Sequence, residues 1–152
     1  MDEATAGIGQ LANETLNRIS GGQLRLVMER ETTARGEEIK IHAIDLGSSD
    51  DALDVAFLSG SQKFRVAVAL AAGIGQYSAG AGRIRALIID EGFGSLDDQG
   101  RQQMVDELRS LSGVLDRVFV ISHQEDFRDR ALFPTGYVLR KSHQRTEVLR
   151  FV

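Results

Sequence analysis

Residues 86–91 read Ala86-Leu87-Ile88-Ile89-Asp90-Glu91. An unbroken apolar run closed by two carboxylates predicts a strand covered on both faces in a parallel sheet, with polar chemistry at its carboxyl end. Further on, Val118-Phe119-Val120-Ile121 repeats the pattern and ends at Ser122-His123. Residues 98–112 lie between them, with Met104, Val105, Leu108 and Leu111 as an apolar stripe at helical spacing and Gly113 just beyond. Strand, helix, strand predicts an α/β core with a right-handed crossover. In open α/β sheets ligands bind beyond the carboxyl ends of the strands. Asp90 and Glu91 stand at one such end, and Ser122 and His123 at the other. Of a carboxylate pair there, one acid can hold a hard cation such as Mg²⁺ and the other can orient or deprotonate water. A nearby imidazole can donate to a developing negative charge. Each residue also has a plain structural reading, as a loop start or a structural histidine.

Working outward, residues 62–76 read as a helix that is apolar almost all round, through Phe64, Val66, Ala67, Val68, Ala69 and Leu70. That pattern predicts burial on most sides. Leu58-Ser59-Gly60-Ser61-Gln62 precedes it. Ser59 can cap the helix, and Gly60 lets a ligand approach the backbone. The free N–H groups and helix dipole there can seat an anion, although an ordinary capped start reads the same way. Gly80-Ala81-Gly82 breaks the chain.

Residues 4–19 repeat Ile8, Leu11, Ala12, Thr15, Leu16 and Ile19 at helical spacing, and Ser20-Gly21-Gly22 stops them. Residues 24–29 and 39–45 read as strands about a polar turn at 32–36, with a loop at 47–51. Residues 136–140 and 146–151 read as a final antiparallel pair. No internal repeat or low-complexity segment is visible in the sequence.

The 152 residues suit one domain with a real core; 42% are hydrophobic and 26% charged, as in ordinary globular chains. Cysteine is absent, which excludes disulfides and thiolate metal sites. No apolar run approaches the ~20 residues that span a bilayer. The N-terminal MDEATAGIGQ has no apolar signal region. The expectation is a cytoplasmic, nucleoid-associated protein with no membrane partner. A net charge of −4 argues against a surface built wholly for nucleic acid. The charge is uneven: residues 29–54 hold eight acids and three bases, and residues 128–150 hold six bases and two acids. The basic stretch reads as a solvated surface or, alternatively, a DNA-facing patch.

Together the motifs resemble a known family. Leu58-Ser59-Gly60-Ser61-Gln62 is similar to the signature motif of ATP-binding-cassette ATPases, and Leu87-Ile88-Ile89-Asp90-Glu91 to Walker B. Ser95-Leu96-Asp97 resembles the D-loop, and Ile121-Ser122-His123 the switch-histidine loop. All four fall in the family's order between residues 58 and 123. Transporter cassettes usually carry proline after the Walker B glutamate. Asp90-Glu91-Gly92-Phe93-Gly94-Ser95-Leu96-Asp97 instead resembles the SMC-like repair ATPases of the SbcC type. Ser61 departs from the usual glycine, and Gln62 stands where repair ATPases commonly carry glutamate.

The resemblance implies the C-terminal half of a P-loop ATPase head that hydrolyses ATP at a dimer interface and drives DNA end processing. It implies Asp90 on Mg²⁺, Glu91 as base, His123 on the γ-phosphate and Asp97 coupling two sites. Ser59, Gly60, Ser61, Gln62 and Lys63 would close on ATP held by a second head. Residues 1–19 would be the base of a coiled coil and 20–152 the lobe. Walker A, G-x-x-x-x-G-K-[ST], needs a Gly-Lys pair. The lysines here are Lys40, Lys63 and Lys141, and none follows glycine. ATP and Mg²⁺ would therefore require an N-terminal lobe, and the chain alone would be inactive. Further implied partners are a second head, a nuclease subunit and DNA. The alternatives are a non-catalytic association module, a chromosome SMC or transporter-type ATPase, and a metal-dependent hydrolase using Asp90, Glu91 and His123 directly.

Overall fold

The computed structural model describes residues 3–34, 36–47, 51–80, 85–91, 102, 104–106, 108–109, 115–128, 133, 135–143 and 145–151. Helix α1 (Glu3–Ile19) buries Ala12, Thr15, Leu16 and Ile19. Gly21 and Gly22 then take positive φ, and the chain turns into β1 (Leu24–Thr33). Strand β2 (Gly36–Asp45) pairs antiparallel with β1 from Leu24↔Asp45 to Thr33↔Gly36, and β3 (Ala52–Asp54) adds to its other edge. The turn is tighter than the polar stretch at 32–36 predicts, because Thr32 and Thr33 extend the ladder. β3 is an addition that the sequence reading does not contain; three residues are too few to show a period.

Helix α2 (Gly60–Ala79) starts earlier and ends later than 62–76. Its start is fixed by a capping box, and Gly80 ends it at φ 56. Val66, Val68, Ala69, Ala72 and Gly73 are buried, whereas Ala67, Ile74 and Tyr77 are exposed. The expectation of burial on most sides is therefore corrected: one face packs and the opposite face is open. Gly73 brings α1 and α2 close together. A Cβ there would stand 2.7 Å from the Ala12 backbone nitrogen and 2.9 Å from the Ile8 carbonyl oxygen.

Strands β4 (Ala86–Asp90) and β5 (Arg117–Ile121) pair in parallel, as the sequence predicts, with Ile88↔Phe119 and Asp90↔Ile121 in register. Residues 102, 104–106, 108 and 109 are helical, and Met104, Val105 and Leu108 are buried. Strands β6 (Gly136–Ser142) and β7 (Arg145–Phe151) form the antiparallel hairpin, each longer than predicted.

The core joins Leu16 and Ile19 of α1, Leu24 and Leu26 of β1, Ala43 of β2, Val66 and Ala69 of α2, and Met104 and Leu108. One face of the parallel pair, Leu87, Ile89, Val118 and Val120, packs against this core. The other face does not. Ile88 is 67% exposed, Phe119 49% and Ile121 52%. The prediction of a strand covered on both faces thus fails on one face, for want of an apolar layer over it.

Candidate functional site

The carboxyl ends of β4 and β5 are locked together by one residue. The Glu91 amide donates to the Ile121 carbonyl at 2.9 Å, which carries the parallel ladder one step beyond β4. Its carboxylate Oε1 lies 2.8 Å from His123 Nδ1. A carboxylate can only accept, so Nδ1 carries the hydrogen and Nε2 is left facing away. For Nε2 also to donate to an anion, the ring must gain a second proton or leave Glu91. Glu91 sits at φ 62, a left-handed conformation that is uncommon for a residue with a side chain. Such outliers persist where surrounding contacts over-determine them.

Asp90 is exposed, on the same open side as Ile88. Glu91 and His123 are brought into contact, and Asp90 precedes Glu91 at the end of β4. Among the described residues, however, no three His, Asp or Glu side chains are arranged to hold a metal ion. Ser122 Oγ accepts from the Gln124 amide at 3.2 Å. Gln124 Oε1 is buried and has no donor among the described residues.

The second cluster is the start of α2. Ser59 Oγ accepts from the Gln62 amide at 3.2 Å, and the Ser59 amide donates to Gln62 Oε1 at 3.0 Å. The Ser59 carbonyl takes the Lys63 amide at 2.9 Å. The Gly60 and Ser61 amides are left without a partner among the described residues, at the positive end of a 20-residue helix. Because Ser59 Oγ is used as an acceptor, its hydroxyl hydrogen is still available to donate. Two open amides, a hydroxyl and the exposed Lys63 suit an anion such as a phosphate. Ser61, where the family usually has glycine, keeps its amide open among the described residues. Asp97, with Ser95 and Leu96, lies outside the described residues.

One contact is not visible in the sequence. Gln62 Nε2 donates to Asp45 Oδ2 at 3.0 Å, tying the start of α2 to the end of β2. An aspartate at a strand end signals a turn, and Asp45 Oδ1 does accept from the Gly47 amide at 3.0 Å. Nothing in the pattern marks its second partner.

The family model for the SbcC/RAD50-like Walker B motif matches residues 38–110. The chain is similar to the SbcC subunit of nuclease SbcCD from Pseudomonas aeruginosa, 33% identical over 136 residues, covering 81% of this chain and 11% of that protein. It is 30% identical to the corresponding protein of Deinococcus radiodurans over 132 residues, covering 87% of this chain and 13% of that protein. The chain thus spans a small part of the length of these relatives. Among solved structures, one from work on ATP-driven dimerization and DNA-stimulated activation of SMC ATPases superposes with a TM-score of 0.66 at 17% identity. That match covers 97% of this chain and 85% of that one. An Smc head bound to the C-winged helix domain of ScpA gives 0.60 at 20% identity, over 97% of this chain and 43% of that one. Motif order, relatives matching most of the chain and a shared head fold support a C-terminal SMC/SbcC-like ATPase lobe.

Proposed function

We propose that this lobe completes an ATP-hydrolysing head and closes on nucleotide held by a second head. The observation that carries the reading is the bare apolar face of β4–β5, which runs under Asp90 beside the Glu91–His123 pair. Ile88, Phe119 and Ile121 are what the interior of a larger sheet leaves uncovered when its other layer is absent. Gln124 Oε1, buried and without a donor among the described residues, supports the same reading.

ATP with Mg²⁺ supplies the phosphoryl group, and positioning and charge stabilisation do most of the work in its transfer. Asp90, whose carboxylate is exposed, would hold the cation, and Glu91 would take a proton from water. His123 orients Glu91 and donates toward phosphate once its ring is free to do so. Ser59, Gly60, Ser61, Gln62 and Lys63 form the anion seat for the partner head's nucleotide. Asp97 couples the two sites. Walker A comes from an N-terminal lobe, α1 is the base of the coiled coil that joins the two, and residues 20–152 are the lobe proper. By analogy with the SbcCD relatives, DNA end processing in double-strand-break repair with a nuclease subunit is the output. The basic stretch at 128–150 is the candidate DNA-facing surface. Among the described residues no helix is long and apolar enough to cross a membrane, and a cytoplasmic, nucleoid-associated setting is part of the proposal.

Coexpression with the Walker A lobe of the same ATPase tests this. The expected result is a stable two-lobe head by gel filtration that releases phosphate from ATP. A chain that elutes alone and ignores that lobe would overturn the reading.

A further inference from the structure

We infer that Asp45 is a positioning residue for the start of α2, and that it dictates glutamine rather than glutamate at position 62. The inference rests on the reading of Leu58-Ser59-Gly60-Ser61-Gln62 as the segment that closes on a partner's nucleotide.

Considered alone, the helix start would accept glutamate at least as well. A capping box takes either residue at this position, and the positive end of a helix favours a carboxylate. A glutamate would still accept the Ser59 amide that Gln62 Oε1 now accepts at 3.0 Å. It could not donate to Asp45 Oδ2, 3.0 Å from Gln62 Nε2. It would set two carboxylates against each other in a half-buried contact, where like charges disfavour ionisation of both. The amide is the side chain that satisfies both neighbours, and in one orientation: oxygen toward Ser59, nitrogen toward Asp45.

Asp45 is itself held in place. It ends β2 opposite Leu24, and the next amide, Leu46, donates to the Gln23 carbonyl at 2.9 Å. Its Oδ1 accepts from Gly47 at 3.0 Å. A continuous polar chain therefore runs from Gly47 through Asp45 and Gln62 to the Ser59 amide. The open amides of Gly60 and Ser61 take their direction from the end of β2 as well as from α2.

The test is ATP-dependent dimerisation of the assembled two-lobe head, followed by sedimentation velocity. Q62E and D45A are each expected to weaken the ATP-driven dimer about tenfold, the usual scale for losing a hydrogen bond to a charged group. The D45N/Q62E double variant is expected to recover to within about threefold of wild type. The amide introduced at 45 can donate to the carboxylate introduced at 62, which reverses the polarity of the same bond. Recovery by a second substitution separates positioning from a general loss of fold. A Q62E head that dimerises as wild type, or a double variant no better than Q62E, overturns the inference. Ser59→Arg in the same assay separates the two levels. If it blocks dimers while Q62E does not, the positioning role falls and the segment's role stands. If Ser59→Arg also dimerises normally, the segment's role falls too.

Discussion

Glu91 is held by its backbone and its side chain at once, and each hold needs the other. A left-handed conformation costs a residue with a side chain about 1–3 kcal/mol. The hydrogen bond from its amide to the Ile121 carbonyl and its carboxylate contact with His123 act against that cost. In the assembled head, Glu91→Gln should keep the geometry, because the amide oxygen still accepts from His123 Nδ1. It should lose the ability to take a proton, and loss of a general base slows a reaction by about 10²–10⁴-fold. ATP-bound dimers should then accumulate. Phosphate release measures the first effect and sedimentation the second. An E91Q head that turns over like wild type would remove Glu91 from the base role.

Among elements, α1 and α2 make the closest backbone approach shown at a glycine, at Gly73. Their approach depends on Gly73, where a Cβ would meet the backbone of Ala12 and Ile8. Gly73→Ala gains helix propensity, about 1 kcal/mol. It must nonetheless push two backbones apart, and overpacking of that kind costs about 1–3 kcal/mol. The expected outcome is a net loss, read as a lower urea midpoint with an unchanged slope. Asn13 fastens the same assembly, since it accepts from the Leu26 amide at 2.7 Å and donates to the Leu26 carbonyl at 2.9 Å, as a neighbouring strand would. These details show where the sequence is legible. The helices α1 and α2 can be read from apolar spacing such as Ala12, Leu16 and Val66, and the β4–β5 pair from its unbroken apolar runs through Ile89 and Val120. So can the positions of Asp90, Glu91 and His123, at or just beyond the carboxyl ends of strands. The links between elements cannot be read. Asn13 to β1, Gln62 to Asp45 and Glu91 to His123 join residues distant in the chain, and polar side chains carry no period that points to their partners. β3 is too short to show one.

At the scale of the whole molecule, the apolar pattern specifies more surface than the described residues cover. Ile88, Phe119 and Ile121 form one open face, and Tyr137, Leu139 and Val148 another on the β6–β7 hairpin. The double substitution I88T/F119T should therefore act differently in two settings. In the chain alone Ile88 is largely hydrated and Phe119 about half so, and stability should fall by no more than about 1 kcal/mol. With the Walker A lobe present, the same change should prevent the two-lobe head from forming in gel filtration. A large loss of stability in the chain alone would mean that the face is already part of its core. The bare β4–β5 face also carries a calorimetric consequence. Covering it would remove the exposed parts of Ile88, Phe119 and Ile121 from water, and such burial lowers the heat capacity. Titration of this lobe with its complement should show an enthalpy that grows steeply more negative as temperature rises, so that joining the halves registers as the last step of folding.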